Sequence, residues 1–231
     1  GFTNVLLNSY AQLIEVHLAR GDMRAASQAF EKAERLLERR PHPAISGMLA
    51  ILRVRFWLRS DNLAAASLWL QEHPPPPGGA TNYPQELEQL AAARGLLALK
   101  QTAKVLELLR PLQDRAEEAG RMWSLIRILV LQAQALQVEE NWDQAISTLE
   151  RALSLAEPEG YVRTFVDEGP ALRDLLRRVD EPSGYVAALL DAFGGRRATP
   201  GTPEAPSRAP APLAEPLTDR ELDVLALIAQ G

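Results

Sequence analysis

The chain has 231 residues, 46% of them hydrophobic, with a formal charge of −5 and a pI near 5.4. That length accommodates one large domain or two small ones with a substantial core, and the acidic balance argues against autonomous nucleic-acid binding, which leaves a basic footprint. Cysteine is absent, which excludes disulfides and cysteine-ligated metal sites and agrees with an expected cytoplasmic address. No apolar run reaches the roughly 18 residues of a membrane span, so no membrane partner is expected.

The start at Gly1 carries no initiator Met, basic segment or signal-peptide core, and reads as a position inside a longer protein. From there a repeat about forty residues long governs the chain. The stretches 21–30, 60–69, 100–109 and 140–149 each lead from a polar turn to a small or β-branched residue, with a large apolar residue four places on. The first of these positions are Ala26, Ala65, Val105 and Ala145, separated by 39, 40 and 40 residues; the second are Phe30, Trp69, Leu109 and Leu149. Upstream of the turns, Tyr10, Leu13, Ile14 and His17 share a helical face, as do Leu49, Leu52 and Phe56, and then Leu129, Ala133 and Leu136. This pattern predicts four antiparallel helix hairpins over residues 1–157. The small residue admits a close helix approach and the large one fills the gap to the next hairpin.

Within that array, the proline- and glycine-rich stretch from His73 to Asn82 breaks helix and separates the second unit from the third. Residues 158–197 read as a helical cap on the repeats. Pro170 fits a first helical position after Gly169, starting a short helix to about Val179, and Ser183 caps another that ends at Gly194 and Gly195. Residues 198–216 hold six prolines in nineteen positions and predict a semi-extended linker with a reach of about 60 Å at roughly 3.1 Å per residue. In 217–231, Thr218 and Glu221 have the spacing of a capping box, and Leu217 with Leu222 forms a hydrophobic staple. Leu222, Leu225 and Ile228 then share one face of a helix that ends at Gly231.

That last segment resembles the first helix of the LuxR-type helix-turn-helix, carried by Leu217, Thr218, Arg220 and Glu221 and by the Ile-Ala-Gln-Gly ending. The hairpins are similar to tetratricopeptide repeats stretched to about forty residues. They depart from them in lacking the glycine of the first helix, where Ile14, Arg53 and Ala133 stand, and in keeping the turn glycine only at Gly21. The segment from Glu159 to Leu176, and the order of repeats, cap, linker and helix-turn-helix start, resemble the large ATP-dependent LuxR regulators of the maltose-regulon-activator type. The resemblance implies an all-α fold: a tetratricopeptide-like superhelix, or α-solenoid, with a truncated C-terminal helix-turn-helix segment. It implies a bacterial transcriptional regulator with promoter DNA as partner of the full-length parent and not of this fragment alone. It also implies a small effector or a regulatory protein on the superhelix, self-association of the parent, and ATP only on a domain upstream of Gly1, with no cofactor in this chain.

The residues give no support for an enzyme. His17, His42 and His73 are far apart without metal-ligand spacing, and none of Lys32, Lys100 and Lys104 follows a glycine as a phosphate-loop lysine does. On the side of the first helices, which is concave in such a stack, we place Asn8, Glu15, Trp57, Arg94, Arg127, Gln134 and Gln137. An aromatic plate with amide and guanidinium donors suits a sugar or another polar effector. The alternative is a tetratricopeptide-like interaction scaffold with no DNA-binding role.

Overall fold

The computed structural model describes residues 2–75, 82–179 and 183–194, and these are all-helical, without strands. The linker 198–216, the segment 217–231 and most of the proline-rich loop lie outside the described residues. Eight helices come in four consecutive pairs. They are α1 (Phe2–Arg20) with α2 (Met23–Arg39), α3 (Pro43–Arg59) with α4 (Leu63–Glu72), α5 (Tyr83–Ala98) with α6 (Thr102–Glu118), and α7 (Met122–Val138) with α8 (Trp142–Ala156). Three short helices follow: α9 (Arg163–Val166), α10 (Pro170–Leu176) and α11 (Gly184–Phe193). The first helices α1, α3, α5 and α7 lie side by side, and each second helix packs against its own first helix.

Local chemistry sets the hairpins. Within each pair the turn carries one left-handed residue, namely Gly21, Asp61, Lys100 and Glu140. The next residue caps the second helix. The Asp22 carboxylate accepts from the Ala25 amide at 3.0 Å, and the Asn62 side chain accepts from the Ala65 amide at 3.1 Å. The residue four beyond the cap is fully buried in every pair: Ala26, Ala66, Val105 and Ala145. The second unit therefore differs from its expected register, because Ala66 and not Ala65 makes the close approach. Ala65 is only half-buried. The reason is that Asp61, the left-handed residue, takes the place of Gly21, whereas matching polar residues sets Ser60 there. Trp69 is still buried, stacked on His73 at 4.8 Å.

Two apolar clusters share α3. Ile45, Leu49 and Leu52 face α1 and α2, while Ile51 and Val54 face the rest of the molecule. Helices α3 and α5 approach closely at Gly47, where a Cβ would fall 2.6 Å from the Pro84 carbonyl oxygen. No larger residue fits that crossing without moving backbone. After α8, the chain folds back so that α10 packs on α7 and α8. Phe165 of α9 is fully buried edge-on to Tyr185, whose hydroxyl donates to the Tyr161 carbonyl at 2.5 Å. This anchoring fixes the segment between α9 and α10 against the first helices.

Candidate functional site

Three successive first helices bring guanidinium and amide groups to one side. Arg55 and Arg59 stand one turn apart on α3, Arg94 lies on α5, and Arg127, Gln134 and Gln137 follow on α7. Into this side reaches the turn Asp167-Glu168-Gly169. Gly169 adopts φ +87, a left-handed value that costs a glycine little, and Pro170 then starts α10. Asp167 forms an ion pair with Arg55 at 2.5 Å, pairs with Arg163 on α9, and lies 3.9 Å from Arg59. Arg94 grips Glu168 with two edges of its guanidinium, Nε donating to Oε2 at 3.2 Å and Nη2 to Oε1. Gln134 donates to the same carboxylate at 3.4 Å, and Gln137 donates to the Ala171 carbonyl at 3.1 Å. A third contact ties α3 to α1, since Arg59 also donates to the Leu18 carbonyl.

Water is largely excluded from this network. Arg55 is 5% exposed and Arg94 6%, and the Glu168 side chain is 8% exposed. Burial alone raises a carboxyl pKa, yet Arg94, Arg127 and Arg55 together hold Glu168 below its ordinary value. The cations carry the opposite burden. Burial, and then the neighbouring Arg94, push Arg127 down from its ordinary value to about 10, and burial together with Arg55 lowers Arg59. Arg127 is held at 4.3 Å over the ring of Trp123. Arg55 Nε and Arg94 Nη1 are buried without a hydrogen-bond partner among the described residues.

Two cavities flank the Asp167-Glu168 turn and share Arg55 and both carboxylates as a wall. The larger, about 810 Å³, has an apolar lining from Leu58, Leu97, Val138 and Trp142 and a polar end from Arg59, Arg94, Gln134 and Gln137. Its volume and its mixture of apolar wall and few polar groups suit a small molecule. Arg178 covers one face of Trp142 at 3.9 Å. The smaller, about 300 Å³, is bounded by Glu15, Trp123, Arg127, Arg163 and Thr164. Among the described residues no group of His, Asp and Glu is arranged to hold a metal ion, and no helix is long and apolar enough to cross a membrane.

The family model of the MalT-like TPR region matches residues 3–182, which takes in all eight paired helices and the turn that closes the cavities. The chain belongs to that family. It is similar to the HTH-type transcriptional regulator MalT of Vibrio campbellii, 26% identical over 174 residues, which is 75% of this chain and 19% of that protein. The corresponding regulators of Klebsiella pneumoniae and Cronobacter sakazakii are 29% identical over 175 residues, again 75% of this chain and 19% of each relative. The chain thus spans about a fifth of the length of the relatives it matches.

Of the residues expected on the first-helix side, Arg94, Gln134 and Gln137 line the larger cavity, and Glu15 and Arg127 line the smaller. Asn8 and Trp57 join neither. Asn8 is exposed on α1, two turns before Glu15, so about 10 Å along the axis separates them. Trp57 falls between Arg55 and Arg59 and therefore on the opposite side of α3, where it packs against the core. The aromatic residues lining the cavities are Trp142 in the larger and Trp123 and Tyr161 in the smaller. Helical spacing does not single out Arg55, Arg59, Asp167 or Glu168. A partial signal exists for the arginines, since Arg53, Arg55 and Arg59 are the charges in an otherwise apolar stretch from Ala50 to Arg59, but spacing does not tell Arg53, which pairs with Glu34, from the other two. None marks the two acids as partners of residues 74 to 112 places earlier.

Proposed function

We propose that this chain is the effector-sensing and protein-interaction region of a bacterial LuxR-type transcriptional regulator, with residues 1–157 and 158–197 acting together as the sensor. The observation that carries the proposal is the 810 Å³ cavity, built by three successive first helices and closed by the Asp167-Glu168 turn, in a chain of the MalT-like TPR family. A small effector entering there touches α3, α5, α7 and the cap at once. Any difference in its affinity between two arrangements of those elements shifts their populations. In the full regulator that shift reaches an upstream ATP-binding domain and self-association. Promoter DNA is read by helices following the segment that opens with Leu217, Thr218, Arg220 and Glu221. The homologues' names as transcriptional regulators support this reading and give none to catalysis.

The test is a thermal-shift screen of the 231-residue chain against a metabolite collection, repeated with Ala98→Phe, which places a ring into the cavity lining. The reading expects at least one metabolite to stabilise the native chain and to lose its effect in Ala98→Phe. If only proteins or peptides bind, and they bind the variant equally, the interaction-scaffold reading replaces it.

A further inference from the structure

We propose that the smaller cavity, bounded by Trp123, Arg127, Arg163 and Thr164, binds the anionic group of a small molecule, a carboxylate or a phosphate. This goes beyond the sensor reading, which leaves the charge of the effector open, and it can fail while that reading stands.

The case begins with the balance of charges. Five guanidiniums, from Arg55, Arg59, Arg94, Arg127 and Arg163, surround the buried carboxylates of Asp167 and Glu168. Asp167 is taken by Arg55 and Arg163, with Arg59 close by, and Glu168 is taken by Arg94 and Gln134. Arg127 is left over. It makes no ion pair or hydrogen bond among the described residues, and its contact is with the face of Trp123. Glu15, also at this cavity, is exposed and pairs with none of these cations. Counting it and Glu140 at the larger cavity, five cations face four acids, a surplus of one positive charge that falls on Arg127.

Geometry makes that surplus usable. Stacking on Trp123 restrains the Arg127 guanidinium while leaving its N–H edges unspent, and a planar fork of donors matches carboxylate and phosphate oxygens. Arg163 and Thr164 line the same space. The volume, about 300 Å³, lies at the lower end of small-molecule sites, which suits a head group rather than a long chain. Burial and Arg94 depress the Arg127 pKa to about 10, and the attraction of Glu168 and Glu15 offsets this only in part. An anion beside it adds to that attraction. The acids do not oppose this, because each buried carboxylate is neutralised by its own arginine.

Binding is tested on the 231-residue chain at constant ionic strength with three probes: inorganic phosphate, benzoate, and benzyl alcohol as the neutral counterpart of benzoate. Intrinsic fluorescence reads the environment of Trp123, and calorimetry reads binding without it. The expected result is saturable binding of phosphate or benzoate and not of benzyl alcohol. Arg127→Gln weakens it about tenfold or more, since a charge-assisted bond is lost, while Arg127→Lys retains part of it. Trp123→Phe removes the optical signal but keeps a calorimetric heat. Circular dichroism melts establish that each variant is folded. The proposal is overturned if neither anion binds saturably, if benzyl alcohol binds as tightly as benzoate, or if folded Arg127→Gln binds like the native chain. An effector recovered in the metabolite screen would uphold the sensor reading in all three cases.

Discussion

Removing the Glu168 carboxylate, as Glu168→Ala, strips Arg94 of its counter-ion at a site where both side chains are less than a tenth exposed. Two donations from Arg94 and one longer one from Gln134 are lost together. Breaking one side of a buried ion pair costs about 3–5 kcal/mol, because the remaining charge stays buried without compensation. The presence of Arg127 and Arg55 beside Arg94 puts the expectation in the upper part of that range. Urea denaturation followed by far-ultraviolet circular dichroism measures it. Replacing both partners, as Arg94→Met with Glu168→Leu, should restore stability to within about 1 kcal/mol of the native chain, since neither charge is then buried. Acid titration gives an independent check. The folded pKa of Glu168 lies below its ordinary 4.5, so the folded chain binds fewer protons than the unfolded one as pH falls below that value. Its stabilisation is complete above pH 4.5 and is lost as pH falls through the folded value, and the acid limb of Glu168→Gln should be flatter. A loss below about 1 kcal/mol in Glu168→Ala, or a double variant no more stable than the single one, would refute the buried-pair account.

Ala66→Leu should cost about 1–3 kcal/mol by overpacking the fully buried approach of α3 and α4, and Ala65→Leu less than about 1 kcal/mol, measured by urea midpoints. Equal costs would contradict the register set by Asp61. Gly47→Ala should lower stability by about 2–3 kcal/mol, because the new methyl meets the Pro84 carbonyl oxygen; an unchanged thermal midpoint contradicts the close crossing. Arg127→Met should stabilise the fold. Burial and the neighbouring Arg94 hold its pKa down at about 10, so the fold disfavours its charged form. Partial solvation of the group limits the expected gain to about 1–2 kcal/mol near neutral pH. Above about pH 10 the folded chain gives up the Arg127 proton while the unfolded chain keeps it, so that gain should shrink as pH rises past about 10, and a destabilised variant would show that Arg127 is already compensated.

The hairpin architecture is legible in sequence because it repeats. Cap, small residue and apolar partner return every forty residues or so, and a helix needs only local periodicity to declare itself. The error at Ala65 shows the limit of that method. Polar residues alone do not fix the frame of a turn, and the left-handed residue that does is recognisable only when it is glycine, as at Gly21, and not when it is Asp61, Lys100 or Glu140. The site is legible in halves. Arg94, Arg127, Gln134 and Gln137 follow from the facing of the first helices. Trp57 lies on the other side of α3, because a two-residue step reverses its face relative to Arg55 and Arg59. Asp167 and Glu168 are not singled out by the sequence, since a pairing across 74 residues, such as Arg94 with Glu168, leaves no trace in local spacing.

Hydrogen–deuterium exchange of the 231-residue chain, with and without the tightest ligand from the metabolite screen, tests the sensor reading most directly. An effector in the cavity should change protection at residues 55–59, 94–98, 134–142 and 163–171, which bound the cavity or support its closing turn. Changes confined to the second helices α2, α4 and α6, or no change at saturating ligand, would contradict it.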